Sequence, residues 1–400
     1  MRRIIVKEAR PGMIAARSVV HEAAAPGGLS AALAATGEVL TLAHLMRFHE
    51  AGVYELWVDD PGLEFLDELC GSQATVAQRR LADALREAFL RVSSWAPRSV
   101  ITTHESVLRD VLQQVWRAAA AMPCFAALAE DEVLLGHSCE VLAVATLLGL
   151  HLQDYLVEQR RRLNGKQACE VVNLALGALF HDAGELMLPA ERRESRVALA
   201  EMESGDWKGH AAEGYAMVRG RLDPSAANVV LHHHQRFDGS GFGGLNATGG
   251  AVVDSLSGAD IHVFARIVMV ADWFCQSVFA NGAQLPQPLV RTMWEMQETP
   301  MRRAFDPVVL RALLATFPPF AVGEIVTLDD GRQALVTRTD GAYPCYPEVH
   351  ILHDAAEPAG DEPPTTNLAE RLDLAIQAVD HTSVEHYLFG ERKVHPLIAA

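Results

Sequence analysis

The spacing of apolar residues changes character twice along the chain. Up to about residue 60 they fall in short β-prone runs, at 4–6, 15–20 and 53–58, interrupted by Pro11-Gly12 and Pro26-Gly27-Gly28. Runs of that length between turn residues predict the strands of a small unit. Helical spacing takes over from about 63 to 92 and stops near Pro97. From 103 to 317 the pattern is mostly helical, with Val107, Leu108, Val111, Leu112 and Val115 on one amphipathic face. A helix over 134–152 carries Val141, Val144 and Leu148 on the stripe of His137. The next, over 168–180, is apolar nearly all round, as a helix at the centre of a bundle must be. After Pro318-Pro319 strands return at 322–328, 333–337 and 349–352, with Asp329-Asp330-Gly331 as a hairpin turn. Residues 355–366 have linker composition, and a short helix over 368–379 precedes the tail.

Composition narrows the function. A chain of 400 residues, half of them apolar, has room for two or three domains. The net charge of −17 argues against a nucleic-acid polymer as partner, because phosphate tracts need clustered Lys and Arg. It leaves open a small phosphate ligand, since bound divalent metals supply positive charge locally. The six cysteines are scattered without a CxxC pair, which reads as reduced structural thiols and not a zinc finger. The N-terminus lacks the apolar run of a signal peptide. The apolar stretches at 141–150 and 171–180 fall short of the ~20 residues that a membrane span needs. A soluble, cytoplasmic protein without a membrane partner is expected, and the sequon at Asn246 is then a chance match.

The chemistry concentrates in His137, His181-Asp182, His210, His233-His234 and Asp272, each near a helix end or in a joining loop. Imidazoles and carboxylates together suit first-row divalent metals: iron or manganese foremost, with zinc as an alternative. Taken singly, these residues have plainer readings. His137 could be a core histidine, His181-Asp182 a helix terminus, and His232-His233-His234 a surface loop. Asp272 is harder to dismiss, because an unpaired carboxylate between Val268 and Phe274 would be costly to bury. Two ions about 3.5–4 Å apart could share the carboxylate of Asp182 and act together on a phosphate. Gly239, Gly241 and Gly244 also satisfy GxGxxG, but no strand precedes them, so a dinucleotide-fold reading fails its structural test.

In order, the segments HSCEV, FHDAGE, KGHAAEG, HHQRFDGSGF and RIVMVAD resemble the HD-GYP phosphodiesterases of the HD-domain superfamily, over about residues 103–315. VKEARPGMIAA resembles the small domain that often precedes that catalytic domain, and FAVGEIVTLDDGRQALV the β appendage that often follows it. The resemblance implies a mainly α fold: an HD-domain helical bundle with a small N-terminal α/β or β-rich domain and a short C-terminal β appendage. The divisions expected are 1–95, 96–317, 318–355 and 356–400, the last a linker, short helix and tail. The family hydrolyses cyclic di-GMP to the linear dinucleotide or to GMP. By resemblance, His137, His181, Asp182 and Asp272 would hold one metal, and Asp182 would bridge to a second held by His210, His233 and His234. A hydroxide bridging the two metals would attack phosphorus. Asp182 and Glu185 are the candidate catalytic residues; Arg236, Asp238, Gly239, Ser240 and Gly241 would line the substrate side.

The chain departs from the family at three places. HDxGK becomes His181-Asp182-Ala183-Gly184-Glu185, so a phosphate-binding lysine is replaced by an acid. Glu185 then reads as solvated, as paired with Arg192 or Arg193, or as an extra metal ligand or proton shuttle. GYP becomes Gly241-Phe242-Gly243, and no basic residue lies between Asp272 and Arg291 where the family carries an arginine-rich stretch. Val133 stands where trinuclear members carry a glutamate, so two metals are expected. The substrate would be a cyclic dinucleotide; candidate partners are signalling proteins such as diguanylate cyclases and a second copy of the chain. The alternatives are a catalytically silent metal-binding sensor or scaffold, and a phosphohydrolase for another phosphoester.

Overall fold

The computed structural model describes residues 2–6, 9–20, 32–59, 66, 69, 74–95, 98–189, 205–243, 255–279, 287–352 and 365–392. Arg192, Arg193, Gly244, Asn246 and all but the last two residues of the expected linker lie outside them.

The N-terminal unit is built on β1 (Arg2–Ile5), β2 (Ile14–Ala15) and β5 (Glu55–Asp59), in the order β1-β5-β2 with both pairings antiparallel. The run expected as one strand at 15–20 breaks at a bend. Its second half, β3 (Val19–Val20), pairs instead with β4 (Ala32–Ala34). Helix α1 (Leu42–Glu50) opens on a reciprocal cap, the Thr41 hydroxyl accepting from the His44 N–H while His44 Nδ1 accepts from the Thr41 N–H. This unit's core includes Ile4, Met13, Leu40, Phe48 and Leu56, and also Leu335 from near the other end of the chain.

The helical body comprises α2 (Val76–Trp95), α3 (Arg98–Ala119), α4 (Phe125–Glu130), α5 (Glu132–His151), α6 (Gln153–Gln159), α7 (Gly165–Ala168) and α8 (Val172–Phe180). It continues through α9 (Gly205–Lys208), α10 (His210–Val218), α11 (Pro224–His232), α12 (Val263–Val278), α13 (Leu289–Gln297), α14 (Met301–Ala304) and α15 (Pro307–Thr316). One contiguous core runs through it, from Leu81, Leu85 and Phe89 of α2 to Leu313 of α15. Helix α2 therefore packs with the helical body. The helix expected over 168–180 divides into α7 and α8, and α8 is buried at every position from Leu174 to Phe180. Asp131 caps α5 by accepting from the Leu134 N–H at 3.0 Å. Among the described residues α5 is the one helix long and apolar enough to cross a membrane; 89% of its apolar window is buried, which makes it the spine of the core.

The C-terminal unit is a six-stranded antiparallel sheet in the order β11-β10-β6-β7-β8-β9. Its strands are β6 (Ile325–Leu328), β7 (Gln333–Arg338), β8 (Glu348–Ile351), β9 (Thr365–Asn367), β10 (Ile376–Val379) and β11 (Thr382–Ser383). The helix expected over 368–379 is not there; turns lead into β10 instead. Its apparent helical stripe needs Leu372, which is 53% exposed, whereas Leu374 and Ile376 are buried two residues apart, the strand period. Tertiary pairing against β6 decides the conformation. Cys124, Cys139, Cys169, Cys275 and Cys345 are unbridged, and burial pushes the Cys345 thiol up to about 12.

A buried ion pair ties α12 to α15. Arg266 Nη1 donates to Asp306 Oδ2 and to the Tyr155 hydroxyl, and its Nη2 donates to Gln159 Oε1 at 2.7 Å. Asp306 Oδ1 also caps α15 by accepting from the Val308 N–H at 2.8 Å. Truncation would strand a guanidinium in the core. Asp306→Ala is expected to lower stability by about 3–5 kcal/mol, read from the midpoint of urea unfolding; a loss below about 1 kcal/mol would mean water reaches Arg266.

Candidate metal centre

Five chain segments deliver the candidate ligands. His137 projects from the second turn of α5, His181 caps the C-terminus of α8 with Asp182 next to it, and His210 opens α10. His233 caps the end of α11, followed by His234, and Asp272 lies within α12. His137, His181, Asp182, His210, His233 and Asp272 are each at most 4% exposed. They meet in one cavity as two groups that share a member: His137, His181, Asp182 and Asp272 form one, and Asp182, His210, His233 and His234 the other. Within each group one candidate ligand atom per residue lies within 4.8 Å of the rest.

The shared residue divides its oxygens between them. Asp182 Oδ2 faces His181 Nε2 at 3.1 Å and His137 Nε2 at 3.9 Å, while Oδ1 faces His233 Nε2 at 3.3 Å and His210 Nε2 at 3.4 Å. Backbone carbonyls fix the imidazoles. Nδ1 of His181, His210 and His233 donates to the carbonyl three residues earlier, of Ala178, Trp207 and Val230 respectively. Donation from Nδ1 leaves Nε2 with its lone pair toward the carboxylate, the orientation a metal ligand requires. Asp272 Oδ1 meets His137 Nε2 at 2.8 Å and accepts from Gln276 Nε2 at 2.9 Å.

Electrostatics mark a place for positive charge. Burial alone would raise Asp182, but His181, His210 and His233 overrule it and hold the carboxyl well below its usual range. Asp272 is likewise held low by His137 and His181 against its burial. Burial disfavours charge on His181 too, yet Asp182 and Asp272 raise it to about 10. His234 is driven well below its usual value by burial and by His233 and His210, which outweigh the opposing pull of Asp272 and Asp182. Two ionised carboxylates buried side by side demand cations, and protons on imidazoles meet that demand only partly. The donor set therefore fits divalent metal.

Two glycines make the arrangement possible. A Cβ on Gly184 would overlap the His210 carbonyl and come within 2.6 Å of Gly214 N, so the 3-10 turn Ala183–Met187 can lie against α10 only without a side chain. A Cβ on Gly241 would overlap the His234 carbonyl, because the loop folds back until the Phe242 N–H reaches that oxygen at 3.2 Å. Phe242 then stacks on His234 at 4.7 Å and 23°. Asp238 accepts from both the N–H and the hydroxyl of Ser240, and Gly239 takes φ +81°, so these residues shape the turn. Arg236 is half-buried beside it.

Some site residues were not visible in the pattern. Trp207 lies against His210 at 4.5 Å and His234 at 4.8 Å, and its indole N–H donates to Glu185 Oε1 at 3.0 Å. Glu185 is 4% exposed, which overturns the solvated reading; it belongs to neither candidate metal group. Position alone could have flagged Gln276, one helical turn beyond Asp272, and Trp207, three residues before His210. His232 is buried and joins neither group.

With five segments converging on a shared aspartate, comparison with known families becomes informative, and the HD domain family matches residues 134–276. That segment is similar to HD domains. It contains all seven residues of the two groups. A cyclic di-GMP phosphodiesterase of Pseudomonas aeruginosa, PA4108, is 27% identical over 349 residues, covering 78% of this chain and 77% of its own. The cyclic di-GMP phosphodiesterase response regulator RpfG of Xanthomonas campestris is 31% identical over 154 residues, 36% of each chain. Among solved structures, Bd1817, an HDG"Y"P protein from Bdellovibrio bacteriovorus, matches 78% of this chain and 97% of its own at 14% identity, with a TM-score of 0.34.

The contact at Gly184 gives a test of the packing around the candidate centre. Gly184→Ala is expected to cost about 1–3 kcal/mol or more through overpacking against backbone, seen as a lower midpoint in thermal melts. Gly165→Ala, where a Cβ meets nothing within 4 Å, should melt like the parent. Equal melting of the two variants would show that the 3-10 turn is free to move away from α10.

Proposed function

We propose that the chain is a divalent-metal-dependent phosphodiesterase that opens a cyclic dinucleotide, with cyclic di-GMP, the substrate in the names of both curated relatives, as the leading candidate. The single observation that carries this reading is Asp182, whose two oxygens face two different sets of imidazoles. A carboxylate so placed is suited to bridge two ions. Iron or manganese is the proposed occupant, with zinc as the alternative. When bound, two such cations would acidify water and neutralise charge developing on a phosphodiester.

The chain's own residues have distinct tasks in this scheme. His137, His181 and Asp272 complete one ion's ligand set, and His210, His233 and His234 the other's. Ala178, Trp207 and Val230 hold three imidazoles in the tautomer that binds metal. Gln276 holds the Asp272 carboxylate, which keeps a ligand on a long helix from turning away. Trp207 and Phe242 wall the cavity beside His210 and His234 with ring surface. Glu185 acts here as a positioning residue, accepting the Trp207 indole N–H, and not as a phosphate contact. Arg236, Asp238, Gly239, Ser240 and Gly241 form the substrate-side loop.

One observation favours a second reading, a metal-binding sensor that has lost turnover. The buried carboxylate of Glu185 beside Trp207 and His210 puts negative charge near the place a phosphate would take. Protein loaded anaerobically with Fe²⁺ or Mn²⁺ and given cyclic di-GMP should release linear dinucleotide or GMP, followed by chromatography. Metal bound at two per chain with no turnover of cyclic di-GMP, other cyclic dinucleotides or bis-aryl phosphate would favour the sensor.

Asp182→Ala should lose both metals in elemental analysis, and two ions retained per chain would refute bridging. Glu185→Gln keeps an acceptor for Trp207, so kcat should stay within about threefold. A fall of about 100-fold or more, the scale of general acid–base catalysis, would instead make Glu185 a proton carrier.

A further inference from the structure

Away from the seven HD-domain residues, a cavity of about 460 Å³ opens between the substrate-side loop and helices α14 and α15. Its walls carry Arg302, Arg303 and Arg311, with Asp238 as the one acid, over a floor that includes Phe237 and Phe305. The three arginines are exposed, and among the described residues none of them enters an ion pair. Asp238 already accepts two hydrogen bonds from Ser240. In a chain of net charge −17, three guanidiniums lining one concavity against a single carboxylate run against the overall field. An anion seated among them would meet three guanidinium donors at once.

We propose that this cavity binds a nucleotide: a flat heteroaromatic ring carrying a phosphate, at a site separate from the metal centre. The volume falls in the range of small-molecule pockets, about 300–1,000 Å³. Three guanidiniums match a phosphate, and the half-buried ring of Phe237 beside apolar floor matches a base. An acidic peptide would use the arginines but has no need of an apolar floor.

The surroundings would transmit occupancy. Phe237 N–H donates to the Ala304 carbonyl at 2.8 Å, joining the loop after His234 to α14. Phe305, 1% exposed, sits edge-on to Trp273 at 5.6 Å, and Trp273 follows Asp272. A ligand between α14, α15 and the loop therefore touches segments leading to both candidate metal groups.

The test uses the full chain stripped of metal with a chelator, so that the metal centre cannot hold phosphate. This separates the proposal from the phosphodiesterase reading, because binding here does not depend on turnover. Calorimetric titration with GMP and with AMP at low salt should show one site, weakening as salt rises. The pair Arg303→Ala/Arg311→Ala should weaken binding at least about tenfold, while Arg332→Ala on the C-terminal sheet leaves it unchanged. Both variants should reload metal to the parental level, which checks folding. Absence of nucleotide binding at millimolar concentration, undiminished binding in the double variant, or inorganic phosphate binding as tightly as GMP would each overturn the proposal.

Discussion

Two ionised carboxylates sealed among apolar helices set the terms for the rest of the structure. Burying Asp182 and Asp272 is tolerable only where positive charge and hydrogen-bond donors surround them. Imidazoles from four other positions supply that environment, and each imidazole is in turn held by a backbone carbonyl or a carboxylate. The helix ends at α8 and α11, the glycine at 184 and the fold-back at 241 all follow from the need to aim these rings inward. The packing of the helical body is thus inseparable from its polar centre.

The cluster is legible in the sequence because its histidines and aspartates are chemically distinctive and occur in a fixed order. His137, His181-Asp182, His210, His233-His234 and Asp272 could be grouped from type and order alone, and the cavity brings the same seven together. The apolar run over 168–180, whose larger part forms α8, is legible for a related reason, since no surface helix can be apolar on every side. What stayed hidden depends on neighbours distant in sequence. Nothing local distinguishes a Glu185 facing solvent from one accepting an indole N–H of Trp207.

The misread helix at 368–379 belongs to the same class. Its apolar residues fit two periods, and only the strand already present at Ile325–Leu328 selects between them. Short strands with mixed spacing carry little information of their own, so register against a partner decides. The bend between Ala15 and Val19 is hidden in the sequence for the same reason, because two sheets compete for one run of β-formers.

Leu335 belongs by sequence to the C-terminal sheet but is buried with Ile4, Phe48 and Leu56 of the N-terminal unit. Arg10 reinforces the junction by donating to the Gly323 carbonyl. The N-terminal unit thus has an unfinished interior until its distant complement leaves the ribosome. Its apolar face must wait, exposed or chaperoned, through the synthesis of the whole helical body.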